Sequence, residues 1–172
     1  MIKSITKVIC DAGPIIHLDE LNCLDLLTDF QEIIVSNSVW GEIEKHRLSA
    51  IRKSDLLFTR FTGKDPYSEL LITMCRMFSL DVGETETLGL MERNPDSIFL
   101  TDDAAARVVA EQMGFRTHGT IGILIRAKRR KQMEPEKIIK ILKEIPVKST
   151  LYIKGSLLTE IVLKLKKEWD LL

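Results

Sequence analysis

The chain has 172 residues, of which 45% are hydrophobic and 29% charged, with 25 Lys+Arg balanced against 25 Asp+Glu. That length suits one domain with a substantial core, and the composition excludes extensive disorder. A neutral total excludes a general nucleic-acid coat protein, yet it leaves room for an acidic metal pocket beside a basic substrate track.

In chain order, residues 7–11 (KVICD) form a short apolar run that ends in an acid and meets Ala12-Gly13-Pro14. This is the pattern of a buried strand stopping at a turn. Leu21, Leu24, Leu26 and Leu27 predict a short helix over 21–30. Residues 32–36 (EIIVS) read as a second strand, after which Asn37 or Ser38 can cap a helix carrying Val39, Trp40, Ile43 and His46. A third strand is expected within 56–61. Pro66 opens a helix through Leu70, Leu71, Met74 and Phe78, and residues 83–93 form another, ended by Asn94-Pro95. Residues 97–101 (SIFLT) are a buried strand. Asp102-Asp103 then begins the helix AAARVVAEQM, closed by Gly114. Residues 115–118 form a last short strand, and 121–132, 135–145 and 157–169 read as helices. Strands alternating with helices imply an α/β fold with a mainly parallel sheet. The reading divides the chain into a domain over 1–130 and a helical C-terminal extension over 131–172, packed on or beside it.

Cys10, Cys23 and Cys75 are odd in number, far apart and without a CxxC pair, so they indicate reduced, buried thiols rather than a zinc site or a disulfide framework. The segment MIKSITKVICD lacks the features of a signal peptide, and no run approaches the roughly 18 apolar residues of a membrane span. A soluble, cytoplasmic protein with no membrane partner is expected.

Two strands, KVICD and SIFLTDD, end in aspartates. In an open parallel sheet, ligands bind beyond the carboxyl ends of the strands, so Asp11 and Asp102 would share a crevice if those strands are neighbours. Two further acids sit early in helices: Glu42, and Glu84 or Glu86. Glu84 shares a stripe with Leu88 and Met91 and so points inward. Glu42, three residues after Val39, is preferred to Glu44. Collected carboxylates repel one another and raise each other's pKa, and a hard dication such as Mg²⁺ or Mn²⁺ removes that cost through oxygen ligands. Each acid also has a plain structural explanation. Asp11 can cap a turn, Asp102 or Asp103 can be an N-cap, and Glu84 can favour a helix N-terminus through the dipole.

The blocks VICDAGPIIHL, IIVSNSVWGEIEKH, DVGETETLGLMER and SIFLTDDAAARVVAEQMGFRTHGTIGILIRAK, in this order, resemble the PIN-domain superfamily. More narrowly they resemble its prokaryotic, VapC-like branch, with a GE-x-E helix, a DD-x-x-AR segment and a GT-x-G-x-L stretch. The resemblance covers residues 7 to 130. It implies a Rossmann-like α/β/α sandwich and Mg²⁺- or Mn²⁺-dependent cleavage of RNA phosphodiesters, leaving 3′-hydroxyl and 5′-phosphate ends. Many relatives are toxins of type II toxin–antitoxin pairs, so an antitoxin protein and a homodimer are partners it implies besides the RNA substrate. Carried onto this chain, the metal-binding and catalytic acids are Asp11, Glu42, Glu84 (with Glu86 as competitor) and Asp102 (with Asp103 beside it). The third acid is glutamate where many PIN nucleases have aspartate, which lengthens its reach.

For the substrate, Ser38 is a candidate to hold a phosphate or a ligating acid, beside ordinary capping. Arg107 is a candidate phosphate clamp or a partner for an acid. Arg129 and Arg130 belong to a dense basic run (Arg126, Lys128, Arg129, Arg130, Lys131) that can track an RNA backbone or form a solvated helix end. His17, His46 and His118 show no ligand spacing and read as structural. A non-catalytic module that binds RNA or protein is the competing function. A haloacid-dehalogenase-type phosphatase is disfavoured because Gly13 stands where its second aspartate belongs. No GxxxxGK[ST] loop supports NTP hydrolysis.

Overall fold

The computed structural model describes residues 7–52, 56–63 and 66–172. Residues 1–6, which open the segment read above for a signal peptide, lie outside them. Five short strands form one sheet: β1 (Lys7–Cys10), β2 (Glu32–Ser36), β3 (Phe58–Phe61), β4 (Ile98–Leu100) and β5 (Arg116–His118). Their order is β3-β2-β1-β4-β5, and every pairing is parallel. The expected α/β fold is therefore present, with the two aspartate-ended strands side by side: Cys10 pairs with Leu100, and the Asp11 amide donates to the Leu100 carbonyl at 2.9 Å.

Alternation along the strands sorts the core into two layers. Val8, Cys10, Ile33, Val35, Ile98 and Leu100 point into one cluster, whereas Ile9, Ile34 and Phe99 point into the other. Both faces are thus covered, which is why these strands read as continuous apolar runs rather than alternating ones. Full burial of each such side chain contributes roughly 1.5–3 kcal/mol.

The first face is covered by α1 (Ala12–Glu20), α2 (Asn37–Arg52) and α6 (Thr120–Arg129), and by α7 (Pro135–Lys148) and α8 (Gly155–Glu168). Ile138, Leu142, Leu158 and Trp169 belong to the same cluster as the β1 residues, so the last two helices share that core. The second face takes α3 (Glu69–Met77), α4 (Val82–Arg93) and α5 (Ala104–Gln112). The three cysteines are buried and unpaired. Among the described residues no helix is long and apolar enough to cross a membrane.

Several elements differ from expectation for local reasons. Ala12-Gly13-Pro14 is not a turn but the first turn of α1, capped by Asp11. Proline is tolerated there because the first amides of a helix lack intrahelical acceptors. The helix expected over 21–30 contracts to a single 3₁₀ turn at Leu24–Leu27. In α2 the cap is neither Asn37 nor Ser38: the Ser36 hydroxyl accepts from the Val39 amide, while Asn37 accepts from Arg60. α3 starts after Ser68, its N-cap, rather than at Pro66. The helix break at Arg47 (φ −150°, ψ 60°) coincides with its ion pair to buried Asp19, 2.8 Å away.

Candidate active site

The carboxyl edges of β1 and β4 and the N-termini of α4 and α5 bring most of the predicted acids to one side of the sheet. Asp11 follows β1 directly and is 9% exposed. Its Oδ1 accepts from the Ala12 amide at 2.8 Å and its Oδ2 from the Thr101 hydroxyl at 3.2 Å. Burial pushes its pKa up to about 6. Those two bonds oppose the rise, and the charges of Glu42 and Asp81 add to it.

Glu84 lies in the first turn of α4, in a reciprocal capping box with Asp81: each backbone amide donates to the other's carboxylate at 2.8 Å. Burial raises Glu84 to about 7, with the charges of Asp103, Asp81 and Asp11 contributing. Among the described residues, no lysine or arginine shifts either acid. Glu86, the competitor for the third place, accepts from the Ser38 amide at 3.1 Å at the start of α2. Ser38 thus holds an acid through its backbone. Glu42 is exposed on α2, near enough to raise Asp11.

Asp102 and Asp103 diverge. Asp103 caps α5, accepting from Ala106 at 2.7 Å, and its charge reaches Glu84. Asp102 turns to the other side. Its Oδ1 accepts from the Thr120 amide at 2.7 Å, and its Oδ2 accepts from the Thr120 hydroxyl at 2.6 Å and from His17 Nδ1 at 2.7 Å. A carboxylate only accepts, so His17 Nδ1 carries the proton. Burial works against the charge on Asp102, but the bonds from His17 and Thr120 outweigh it and hold its pKa below the usual carboxylate value.

These bonds also explain Gly119. As the N-cap of α6, glycine offers no side-chain acceptor, and Asp102 supplies one from across the sheet edge. A Cβ at Gly119 would stand 2.5 Å from Asp102 Oδ1 and 3.1 Å from the Thr101 carbonyl oxygen. Gly119→Ala is therefore expected to destabilise the protein by about 1–3 kcal/mol through overcrowding. Chemical denaturation should show it, and an unchanged midpoint would mean that this cluster is loosely packed.

The arginines are also divided. Arg107 donates through Nη2 to the Thr101 carbonyl at 3.0 Å, beneath the Asp102 cluster. Arg130 and Arg126 both bind Asp29 at 2.8–2.9 Å, and Arg126 also stacks over Phe30. Lys128 lies over the Trp169 ring. Arg129 is exposed and, among the described residues, has no acidic partner.

Four participants lay outside the sequence reading. His17 was read as structural, and its pairing with Asp102 spans 85 positions in the chain. Asp81 was passed over, although the Asp81/Glu84 spacing is that of a capping box. Thr101 and Thr120 carry no signal of their own.

The donor set is entirely oxygen, as a hard dication requires. Two raised carboxylates without a cationic partner among the described residues fit such an ion, because its charge would relieve them. Among the described residues, no group of three His, Cys, Asp or Glu side chains is close enough to enclose it. The acids share a field rather than a closed cage.

No curated protein and no solved structure matches the chain. A family model described as a PIN domain matches residues 7–167. The match runs from the first residue of β1 into the last turn of α8, taking in every strand and helix described above, and the chain belongs to the PIN-domain family.

Proposed function

We propose that this PIN-domain protein is a divalent-metal-dependent endoribonuclease. PIN domains are generally nucleases. The observation that carries the reading is the pair Asp11 and Glu84, raised to about 6 and about 7 at the carboxyl edge of a parallel sheet, with no basic side chain among the described residues to offset them. In this reading Asp11, Glu84 and Asp103 hold Mg²⁺ or Mn²⁺, with Glu42 completing the set through water. Cations of this kind keep several waters, which suits acids spaced too widely to enclose an ion by themselves. Asp102 is the other claimant to the fourth place. Its three bonds to His17 and Thr120 support a positioning role, fixing the chain between β4 and α6.

A bound dication would supply an activated water and neutralise charge developing on phosphate. The protein's own part is to orient that ion. Thr101 holds the Asp11 carboxylate from one side and the Ala12 amide from the other. The Asp81 amide fixes one oxygen of Glu84.

Incubation of a mixed single-stranded RNA pool with Mn²⁺ or Mg²⁺, against an EDTA control, is expected to give metal-dependent fragments with 3′-hydroxyl and 5′-phosphate ends. Intact RNA from a protein that binds Mn²⁺ would refute the endoribonuclease. As the toxin of a type II pair, the chain would also co-purify with a small DNA-binding partner encoded beside it.

The raised acids set a pH dependence. Between the unfolded values near 4 and the folded values of about 6 and about 7, the folded chain binds more protons than the unfolded one. Stability from these groups is therefore full below pH 4 and is lost as pH rises to 7. Mn²⁺ takes over the protons' role, so it should raise the melting temperature more at pH 8 than at pH 5. Equal shifts at both values would remove these acids from the metal site.

A further inference from the structure

A second concavity, about 430 Å³ in volume, opens at Asp102, which lines it. Arg107 and His118 are among the residues that line it. The segment from Leu151 to Ile153 lines it as well, with Leu157 and Ile161 of α8. The size falls within the roughly 300–1,000 Å³ usual for ligand sites.

Three features of this groove go together. The first is Tyr152, which is 89% exposed at the rim although it lies between two half-buried apolar residues, Leu151 and Ile153. The second is that the chain carrying it is fastened. Glu20, at the end of α1, accepts from the Ser149 hydroxyl at 2.8 Å, the Thr150 amide at 2.7 Å and the Thr150 hydroxyl at 3.0 Å, and the Leu151 amide closes onto the Ser149 hydroxyl at 3.1 Å. Tyr152 thus leaves an anchored segment, and its ring is set out to solvent at little cost in ordering. The third is charge. Burial together with Arg129, Arg107, Arg126 and Arg116 depresses the pKa of His118, which registers positive potential at the wall. Asp29 neutralises Arg126, while Arg129 has no acidic partner among the described residues. The nearest acid, Asp102, is occupied by His17 and Thr120.

An exposed aromatic ring in one groove with apolar side chains and a guanidinium group is the chemistry that receives single-stranded nucleic acid: bases stack and phosphates meet cations. We propose that this groove holds one nucleotide of a single-stranded RNA beside the acidic crevice, with its base against Tyr152 and its phosphate at Arg107, drawn there also by the positive potential of Arg129. The inference rests on the endoribonuclease reading and adds where the strand lies. It also divides the basic run: Arg129 serves the RNA, whereas Arg130, paired with Asp29, serves the fold.

The test is fluorescence anisotropy of a labelled eight-nucleotide RNA in EDTA, so that nothing is cut, with the full chain. Tyr152→Ala is expected to weaken binding roughly 5- to 150-fold, the range of one base–aromatic stack, while Tyr152→Phe stays close to wild type. An RNA with abasic positions should bind wild type and Tyr152→Ala alike. Arg129→Ala should flatten the salt dependence, and Arg130→Ala should leave it unchanged. If Tyr152→Ala binds as wild type does, the subsite is wrong and the nuclease reading stands. If wild type binds no RNA in EDTA, the groove is refuted, and cleavage with Mn²⁺ decides the nuclease reading separately.

Discussion

Replacing Asp11 with asparagine should lower RNA cleavage by on the order of 10³-fold or more while making the metal-free protein more stable at pH 8. The two effects have one origin. A cation in such a site contributes several kcal/mol to transition-state stabilisation, and about 4 kcal/mol corresponds to roughly 10³-fold in rate. Asparagine keeps the shape and an oxygen to accept from the Ala12 amide, and its amide group can donate to the Thr101 hydroxyl. What it lacks is the charge. In the folded chain burial raises Asp11 from 3.8 to about 6, so above pH 6 a disfavoured carboxylate is held in place. Removing it should recover roughly 1–3 kcal/mol, read as a rise of several degrees in melting temperature. The gain should vanish near pH 4, where the wild-type acid is protonated in the fold and half-protonated in the unfolded chain. Retained cleavage by Asp11→Asn would remove Asp11 from the chemistry. Loss of cleavage with a lowered melting temperature would mean that the carboxylate serves the fold instead.

This coupling bears on how the acids could be read in the sequence. A capping role and a functional role stood there as rivals, and the structure gives several acids a cap whatever else they do. Asp11 caps α1, Asp103 caps α5 and Glu84 closes a capping box on α4. An acid at the start of a helix, just beyond a parallel strand, satisfies orphan amides with one oxygen and can leave the other for a ligand. Capping geometry therefore does not argue against a site.

The strands were legible because burial on both faces left apolar runs that nothing else explains: KVIC, EIIV and IFL all lie within expected strands. α1 was not legible, since Ala-Gly-Pro reads as a turn unless the preceding Asp11 is recognised as an N-cap. Pairings across the chain were also out of reach. His17 with Asp102, Arg126 and Arg130 with Asp29, and Glu20 with Thr150 join residues 85 to 130 positions apart, and each depends on which strands and helices become neighbours. The dense basic run illustrates the cost of reading charge locally. Five cations in six positions suggested one surface, yet Arg126 and Arg130 are spent on Asp29 and Lys128 lies against Trp169.

The choice between Asp102 and Asp103 can be forced by their different partners. Asp102→Ala should cost roughly 3–5 kcal/mol, because it strips acceptors from His17, from the Thr120 hydroxyl and from the amide at the start of α6. Asp102→Asn should cost only about 1 kcal/mol. Its amide oxygen still accepts from Thr120, and its NH₂ group can face a His17 ring that has moved its proton to the other nitrogen. Asp103→Asn keeps an oxygen for the Ala106 amide and should leave the fold nearly intact. Cleavage should sort the other way: Asp103→Asn falls with Asp11→Asn, whereas Asp102→Asn retains a measurable share. A double-mutant cycle between Asp102→Ala and His17→Ala isolates the pair, with an expected coupling of about 1–2 kcal/mol. If instead Asp102→Asn is as inactive as Asp11→Asn and Asp103→Asn still cuts, then Asp102 is the direct ligand. In that case its bonds to Thr120 and His17 hold its carboxylate toward the ion, and the acidic crevice runs on into the groove that Asp102 and Tyr152 both line.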